Sequence, residues 1–200
     1  MRVRTFVIMA GWSVLSLCAV ADITMAQDLE LQTRLEPCCG TPAPQAEGQG
    51  ERKIRDRNAD TIPERDRFKI SVEIPIPSAG LGITTPEQAA SADVRAILSR
   101  NGTPYAECFL AFDNNTDDDG SDDDANRAQY KVDVEELQVK SRALRRQRKG
   151  RCDIDLGAVD VQVGIPNVEA GDVVTATVVK DSGNRSLDVD FLDGVFERKP

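Results

Sequence analysis

Phe68-Lys69-Ile70-Ser71-Val72-Glu73-Ile74-Pro75-Ile76 is the stretch that decides the fold class of this 200-residue chain. Apolar side chains fall at every second position with polar ones between them, the period of a strand that buries one face. Pro75 lacks an amide donor and suits a sheet edge. Tyr105 to Phe112 is also strand-like, and further candidates follow at Gln129–Val134, Cys152–Leu156, Val159–Val163, Asp172–Lys180 and Leu187–Leu192. Turn signals separate them: Pro77 to Gly82, Asn101-Gly102, and Asp181-Ser182-Gly183-Asn184. Thr85-Pro86-Glu87 reads as a helix start, with threonine as the cap and proline at the first position. The following Ala89 to Arg100 fits either a helix or a strand. Asn101-Gly102 is a strong two-residue hairpin turn, so a hairpin is expected, with one or two helical turns from Pro86. Glu135 to Arg148 also fits a helix and competes with the all-β reading. No internal repeat occurs.

Seven to eight short strands punctuated by turns predict an all-β fold over residues 68–200. The expected form is an antiparallel β-sandwich of immunoglobulin-like or jelly-roll type. Upstream, residues 27–67 contain TPAPQAEGQGERKIRDRNAD, rich in Pro, Gly, Gln and alternating charge. Such a segment buries too little apolar surface to offset its ordering entropy and reads as a flexible polar linker. Residues 1–26 read as a signal peptide: Arg2 and Arg4, then the apolar run Phe6 to Val20, then the small-residue sites Ala19-Val20-Ala21 and Thr24-Met25-Ala26. Cleavage after Ala26 is preferred. The run holds 15 residues, short of the roughly 20 that a membrane-spanning helix needs. The mature chain is therefore expected in the periplasm or secreted, without a transmembrane segment.

The chain has no histidine, so it lacks the commonest general base near neutral pH and the commonest transition-metal ligand. Its one tryptophan, Trp12, lies in the expected signal peptide. Few aromatic faces remain for stacking sugars or single-stranded bases. Losing Arg2, Arg4 and Asp22 with the signal peptide moves the net charge from −9 to −10, and so acidic a domain repels nucleic acid. Cys38, Cys39, Cys108 and Cys152 remain, an even count that favours disulfides in an exported chain. Cys108 and Cys152 lie in strand-like segments and are paired with each other. The adjacent Cys38 and Cys39 leave three readings open: a bond to each other, a bond to another chain, or a soft-metal thiolate site.

Two charge blocks stand out. DNNTDDDGSDDD, residues 113–124, holds seven aspartates, and KSRALRRQRKGR, residues 140–151, holds seven positive charges. Calcium takes six to eight oxygen ligands, and the candidate set is Asp113, Asn115, Asp117, Asp119, Ser121 and Asp123. From Asn115 to Asp123, with Gly120 at the turn, the loop resembles the first nine positions of an EF-hand calcium loop. Its twelfth position is Asn126 rather than the bidentate glutamate. The alternative is a solvated acidic loop between strands. Lys140, Arg142, Arg145, Arg146, Arg148, Lys149 and Arg151 can meet an anionic envelope polymer or the aspartates themselves.

No nucleotide loop, nucleophile elbow or zinc spacing appears. The expectation is an exported, non-catalytic binding or cell-envelope protein, with calcium as its candidate ion. One alternative is a structural or adhesive protein that self-associates through the opposite charge blocks. Another is a carboxylate-based glycosidase using a pair such as Asp153 with Asp155 or Asp188 with Asp190. That activity needs one buried acid of raised pKa within a cleft.

Overall fold

A computed structural model describes residues 28–40, 42–55, 64–113, 126–139, 142–154, 156 and 162–200. In chain order the strands are β1 (Leu29–Pro37), β2 (Glu47–Arg55), β3 (Arg65–Pro75), β4 (Asp93–Arg100), β5 (Thr103–Asp113) and β6 (Arg127–Val139). After them come β7 (Arg142–Lys149), β8 (Arg151–Ile154), β9 (Gln162–Val163), β10 (Val173–Val179), β11 (Val189–Val195) and β12 (Glu197–Arg198). Between β3 and β4 lie a 3-10 turn, Ala79–Leu81, and a short α-helix, α1 (Pro86–Ser91). Among the described residues, no helix is long and apolar enough to cross a membrane.

The strands pair in the order β6-β3-β2-β1-β11-β10-β4-β5, and β5 pairs in turn with β6. The fold is thus a closed, eight-stranded antiparallel barrel, with β7 beside β6, β8 and β9 beside β5, and β12 beside β1. The all-β, antiparallel expectation holds. Two separate packed sheets do not, because two strands change partners along their length. β1 pairs with β2 through Leu35 and with β11 at Glu36 and Pro37. β5 pairs with β4 through Leu110 and with β6 from Ala111 to Asp113. Strands that cross from one face to the other make corners and join the two faces into one ring. Closure also leaves the ring without edges.

The linker expectation for residues 27–67 is corrected at the same place, since β1 and β2 are staves of the barrel. In β1 the buried residues are Leu31, Thr33 and Leu35, a plain alternation. In β2 the inward positions are Gly48, Gly50 and Arg52, which conceals the pattern. Glycine stands there because the interior is already occupied: a Cβ on Gly50 would lie 2.9 Å from Phe196 Cζ. The competing helix over Glu135 to Arg148 does not form; those residues lie in β6 and β7.

Phe68, Ile70, Val72 and Ile74 of β3 point inward with Tyr130, Val132 and Val134 of β6, and all are buried. From the opposite wall come Val94, Ala96, Leu98, Ala106, Val174, Ala176, Phe191 and Leu192. Phe196 meets Phe68 at 6.4 Å between ring centroids, and Phe112 meets Tyr130 edge-on at 5.6 Å. Burying each such aromatic stabilises the fold by about 1.5–3 kcal/mol. One barrel end is sealed by apolar groups, Leu81, Ile83 and Ala89, from the segment that holds α1. Thr85 caps that helix by accepting a hydrogen bond from the Gln88 amide at 3.3 Å, and Tyr130 donates to the Ala89 carbonyl at 2.8 Å. The β4–β5 turn puts Asn101 and Gly102 at φ 51° and 77°, the left-handed pair that a tight hairpin requires.

Cys108 and Cys152 face each other across β5 and β8 and are bonded, with S–S 2.05 Å. Closing a loop of 44 residues stabilises by about 4 kcal/mol in the chain-entropy picture. Gly150, at φ 61°, carries the chain from β7 across to β8; a Cβ there would lie 2.4 Å from the Phe109 carbonyl oxygen. Gly194 is equally confined: its Cβ would stand 2.4 Å from the Arg34 carbonyl oxygen and 2.6 Å from Thr33 Oγ1.

Gly194→Ala is therefore expected to cost about 1–3 kcal/mol through overpacking, read as a lower urea midpoint at unchanged slope. Gly183→Ala, in an open turn with 3.4 Å of clearance, serves as the near-neutral control.

Candidate functional site

Apolar side chains fill the barrel interior, and the concave surface lies outside it. The outward residues of β1, β2 and β3 form a groove with the end of β11 and Glu197 of β12, about 1100 Å³ in volume. The floor takes neutral polar groups from Gln32, Gln49 and Ser71. Six carboxylates line it, Glu36, Glu47, Glu51, Glu73, Asp193 and Glu197, against two cations, Arg34 and Lys69. Some of that charge is offset at the rim. Arg127 Nη1 lies 2.6 Å from Glu47 and 3.4 Å from Glu73, and Lys53 lies 2.6 Å from Glu51. No aromatic side chain enters the lining. Strand alternation explains the groove: the odd positions of β2 and β3 and the even positions of β1 lie on the outer side, and all but Pro75 are polar.

Beside the groove, the outer face of β3 and β6 carries diagonal ion pairs. Arg67 donates to Asp133 at 2.9 and 2.6 Å, and Arg65 reaches Glu135 at 2.5 Å. Glu135 is only 1% exposed, while Arg65 remains partly exposed. On the opposite wall Glu107 accepts from Arg95 and Arg185, each at 2.9 Å. The Phe109 ring lies between the guanidinium groups of Arg95 and Arg151, at 4.6 and 4.4 Å, an arrangement favoured by the negative faces of the ring.

At the end opposite α1, charge enters the barrel itself. Arg52 on β2 is 6% exposed and occupies an inward position. It donates to Asp66 at 2.9 Å, to the Asn167 side chain at 2.9 Å and to the Val168 carbonyl at 2.8 Å. Alongside it, Arg100 grips both oxygens of Asp172 at 2.9 Å, and Tyr105 donates to the same carboxylate at 2.8 Å. The Glu169 amide supplies a fourth hydrogen bond at 2.8 Å. Burial pushes the Asp172 carboxyl up, but Arg100, the Glu169 amide and Tyr105 outweigh it and hold the group below its usual range. Burial and the neighbouring Asp172 push the Tyr105 phenol up, so it stays a proton donor at neutral pH. These groups rivet the loop before β10 over the barrel mouth. They are a lock, with no acid poised for proton transfer.

The third feature is Cys38 and Cys39, just past β1. They are bonded to each other, and a carboxylate oxygen of Asp193 joins the two Sγ atoms within a span of 4.8 Å. This cluster adjoins the groove, since Asp193 belongs to both.

Of the expected calcium ligands, Asp113 closes β5. It is buried, with Lys131 Nζ at 3.6 Å and Lys149 Nζ closer still. Asn115, Asp117, Asp119, Ser121 and Asp123 lie outside the described residues. One member of each charge block, Asp113 and Lys149, thus meets within a single molecule. Lys140 lies outside the described residues, as do the side chains of Arg142, Arg145, Arg146 and Arg148 on β7. Arg151 opens β8 and stacks on Phe109. Three of the four glycosidase candidates are among the described residues. Asp153 faces Arg151 at 3.7 Å, Asp155 lies outside the described residues, Asp188 accepts from the Lys180 amide at 3.3 Å, and Asp190 accepts from Thr177 at 2.6 Å. Sequence reasoning missed the groove and the ionic lock. Arg52 and Asp66 sit in phase with the inward positions of β2 and β3, and that phase was the available signal.

The lock yields a pH dependence with a definite sign. Asp172 has a folded-state pKa below its ordinary 3.8, so the unfolded chain binds more protons between the two values. Its contribution is full above the ordinary value and is lost as pH falls through the folded one. Urea unfolding of Asp172→Asn is expected to show a smaller loss of stability than the parent between about pH 5 and about pH 2. Equal losses in the two proteins would rule out this role.

Comparisons with protein-family models, with curated proteins and with solved structures return no match for the chain.

Proposed function

We propose that the chain is an exported, non-catalytic binding protein of the periplasm or the extracellular medium, and that it takes an extended cationic ligand along the outer groove. A basic peptide segment is the ligand class that fits. The groove carries this reading: about 1100 Å³, with six carboxylates against two cations and amide and hydroxyl groups along its floor. A peptide in extended form offers side chains to both walls and amides to Gln32, Gln49 and Ser71. The interior is already filled, which directs a ligand to the outside. Charged outward positions also suit an aqueous setting, since a lipid-facing barrel carries an apolar band there. The absence of histidine from the chain and the cation partners of buried Glu107, Asp133, Glu135 and Asp172 favour binding over acid–base chemistry.

The test is fluorescence anisotropy of a labelled Lys/Arg-rich decapeptide against the full chain. Binding is expected at low salt and should weaken as ionic strength rises, because exposed charges are screened over about 8 Å at physiological salt. Replacing Glu36 and Glu197 by Gln should lower affinity about five-fold, at some 0.5 kcal/mol per exposed charge. Asp181→Asn, in a turn outside the groove, should change nothing. Absence of binding at low salt, or indifference to the groove substitutions, would reject the proposal.

A further inference from the structure

The reading of Cys38 and Cys39 goes beyond the groove and does not depend on its ligand. Cys38 follows β1 by one residue, and the register Glu36↔Asp193, Pro37↔Leu192 sets this turn against β11. The Cys38 amide donates to the Phe191 carbonyl at 3.1 Å, which anchors the first cysteine. Cys39 and Gly40 then adopt φ 61° and 79°, folding the chain back so that both sulfurs face the Asp193 carboxylate. Three ligand atoms of two kinds converge within 4.8 Å. A tetrahedral ion with bonds of about 2.3 Å to sulfur and 2.0 Å to oxygen holds its donors roughly 3.5–4 Å apart. That separation is within reach of these side chains once the sulfurs are no longer bonded to each other.

Accessibility separates this pair from the other disulfide. Cys39 and Asp193 are exposed and Cys38 is half-buried, whereas Cys108 and Cys152 are fully buried. The bond between neighbours also encloses almost no chain, so it adds little through loop entropy. A reductant therefore finds the first pair and not the second.

We infer that Cys38, Cys39 and Asp193 form a redox-gated site for one thiophilic divalent cation of the zinc and cadmium type. In the oxidised chain the sulfurs are bonded and the site is closed to metal. A dithiol reductant opens it. One thiolate of the reductant attacks the exposed Cys39 sulfur and releases Cys38 as the thiolate. The second reductant thiol then displaces Cys39, leaving the reductant as its own disulfide and the chain as a dithiol. Binding of the cation releases the two thiol protons and forms two metal–sulfur bonds and one metal–oxygen bond. Two thiolates and one carboxylate leave the bound ion with a net charge of −1, and a water molecule completes the tetrahedron. The neighbouring groove carboxylates raise the local concentration of cations at this site.

Cobalt(II) is the probe, added to the full chain after phosphine reduction and anaerobic desalting. The reduced protein is expected to expose two more titratable thiols than the oxidised protein and to bind one cobalt ion with a thiolate-to-metal charge-transfer band. The oxidised protein should show no such band. The double variant Cys38→Ser, Cys39→Ser should lose the band while keeping the parent's urea midpoint. Asp193→Asn should bind at least about ten-fold more weakly. A missing band in the reduced parent, the same band in the oxidised parent or in the double serine variant, or unchanged affinity in Asp193→Asn would each overturn the site. Peptide binding by the oxidised protein reports on the groove alone, so the two readings fail separately.

Discussion

Everything in this fold depends on how β5 distributes its backbone hydrogen bonds. One edge pairs with β4 along most of the strand; the other is shared between β8 and β6. If the last three residues of β5 did not turn to β6, the sheet would open into a ribbon with two unpaired edges. Open edges leave buried or sticky amides without partners. The Cys108–Cys152 bond sits in the β8-paired part of β5, and Gly150 in the crossing between β7 and β8. A covalent bond and a residue without a side chain thus guard the junction from either side.

Charge falls into distinct settings. On the outer wall, cross-strand pairs join the partly exposed Arg65 and Arg67 of β3 to the buried carboxylates of Glu135 and Asp133 on β6. At the barrel mouth Arg52, Asp66 and Asp172 are mostly buried while Arg100 is over a third exposed, and their value is geometric. Removing one partner would strand a buried charge, which costs about 3–5 kcal/mol. Such a lock tolerates little variation and fixes which loop covers the opening. The groove has a more open character: its six lining acids outnumber the cations that approach them, Arg34, Lys53, Lys69 and Arg127, and leave it an acidic surface.

Much of the strand inventory was legible, because β3 and the first half of β6 alternate apolar and polar residues, and β5, β10 and β11 hold short apolar-rich runs bounded by turn residues. The Asn101-Gly102 turn and the Thr85-Pro86 helix start carry their own stereochemistry and were equally plain. β2 was not legible: its inward face holds two glycines and an arginine, so the usual signal of apolar residues is missing. Composition then made a polar linker of a barrel stave and dragged β1 with it, although Leu29, Leu31 and Leu35 stood in phase. With two strands uncounted, closure could not be inferred and a sandwich was the natural result. The groove was hidden for a related reason, since its walls come from strands distant in sequence, β1 to β3 and β11. Cys38 and Cys39 drew notice in the sequence, but Asp193, over 150 residues later, could be added only by the β1–β11 pairing.

That pairing has a kinetic side. β1 finds one neighbour nearby in β2, but its other edge waits for β11 and for β12, where Leu31 meets Arg198 and Lys199 reaches Glu30 at 2.9 Å. The first stave of the ring cannot be completed until the last one has left the ribosome. A contact of such sequence separation carries a high loop-closure cost and slows folding. Until it forms, the chain is an open sheet with free edges. The topology therefore delays the native state until β11 and β12 have been made, and keeps the earlier strands loose for as long as they wait.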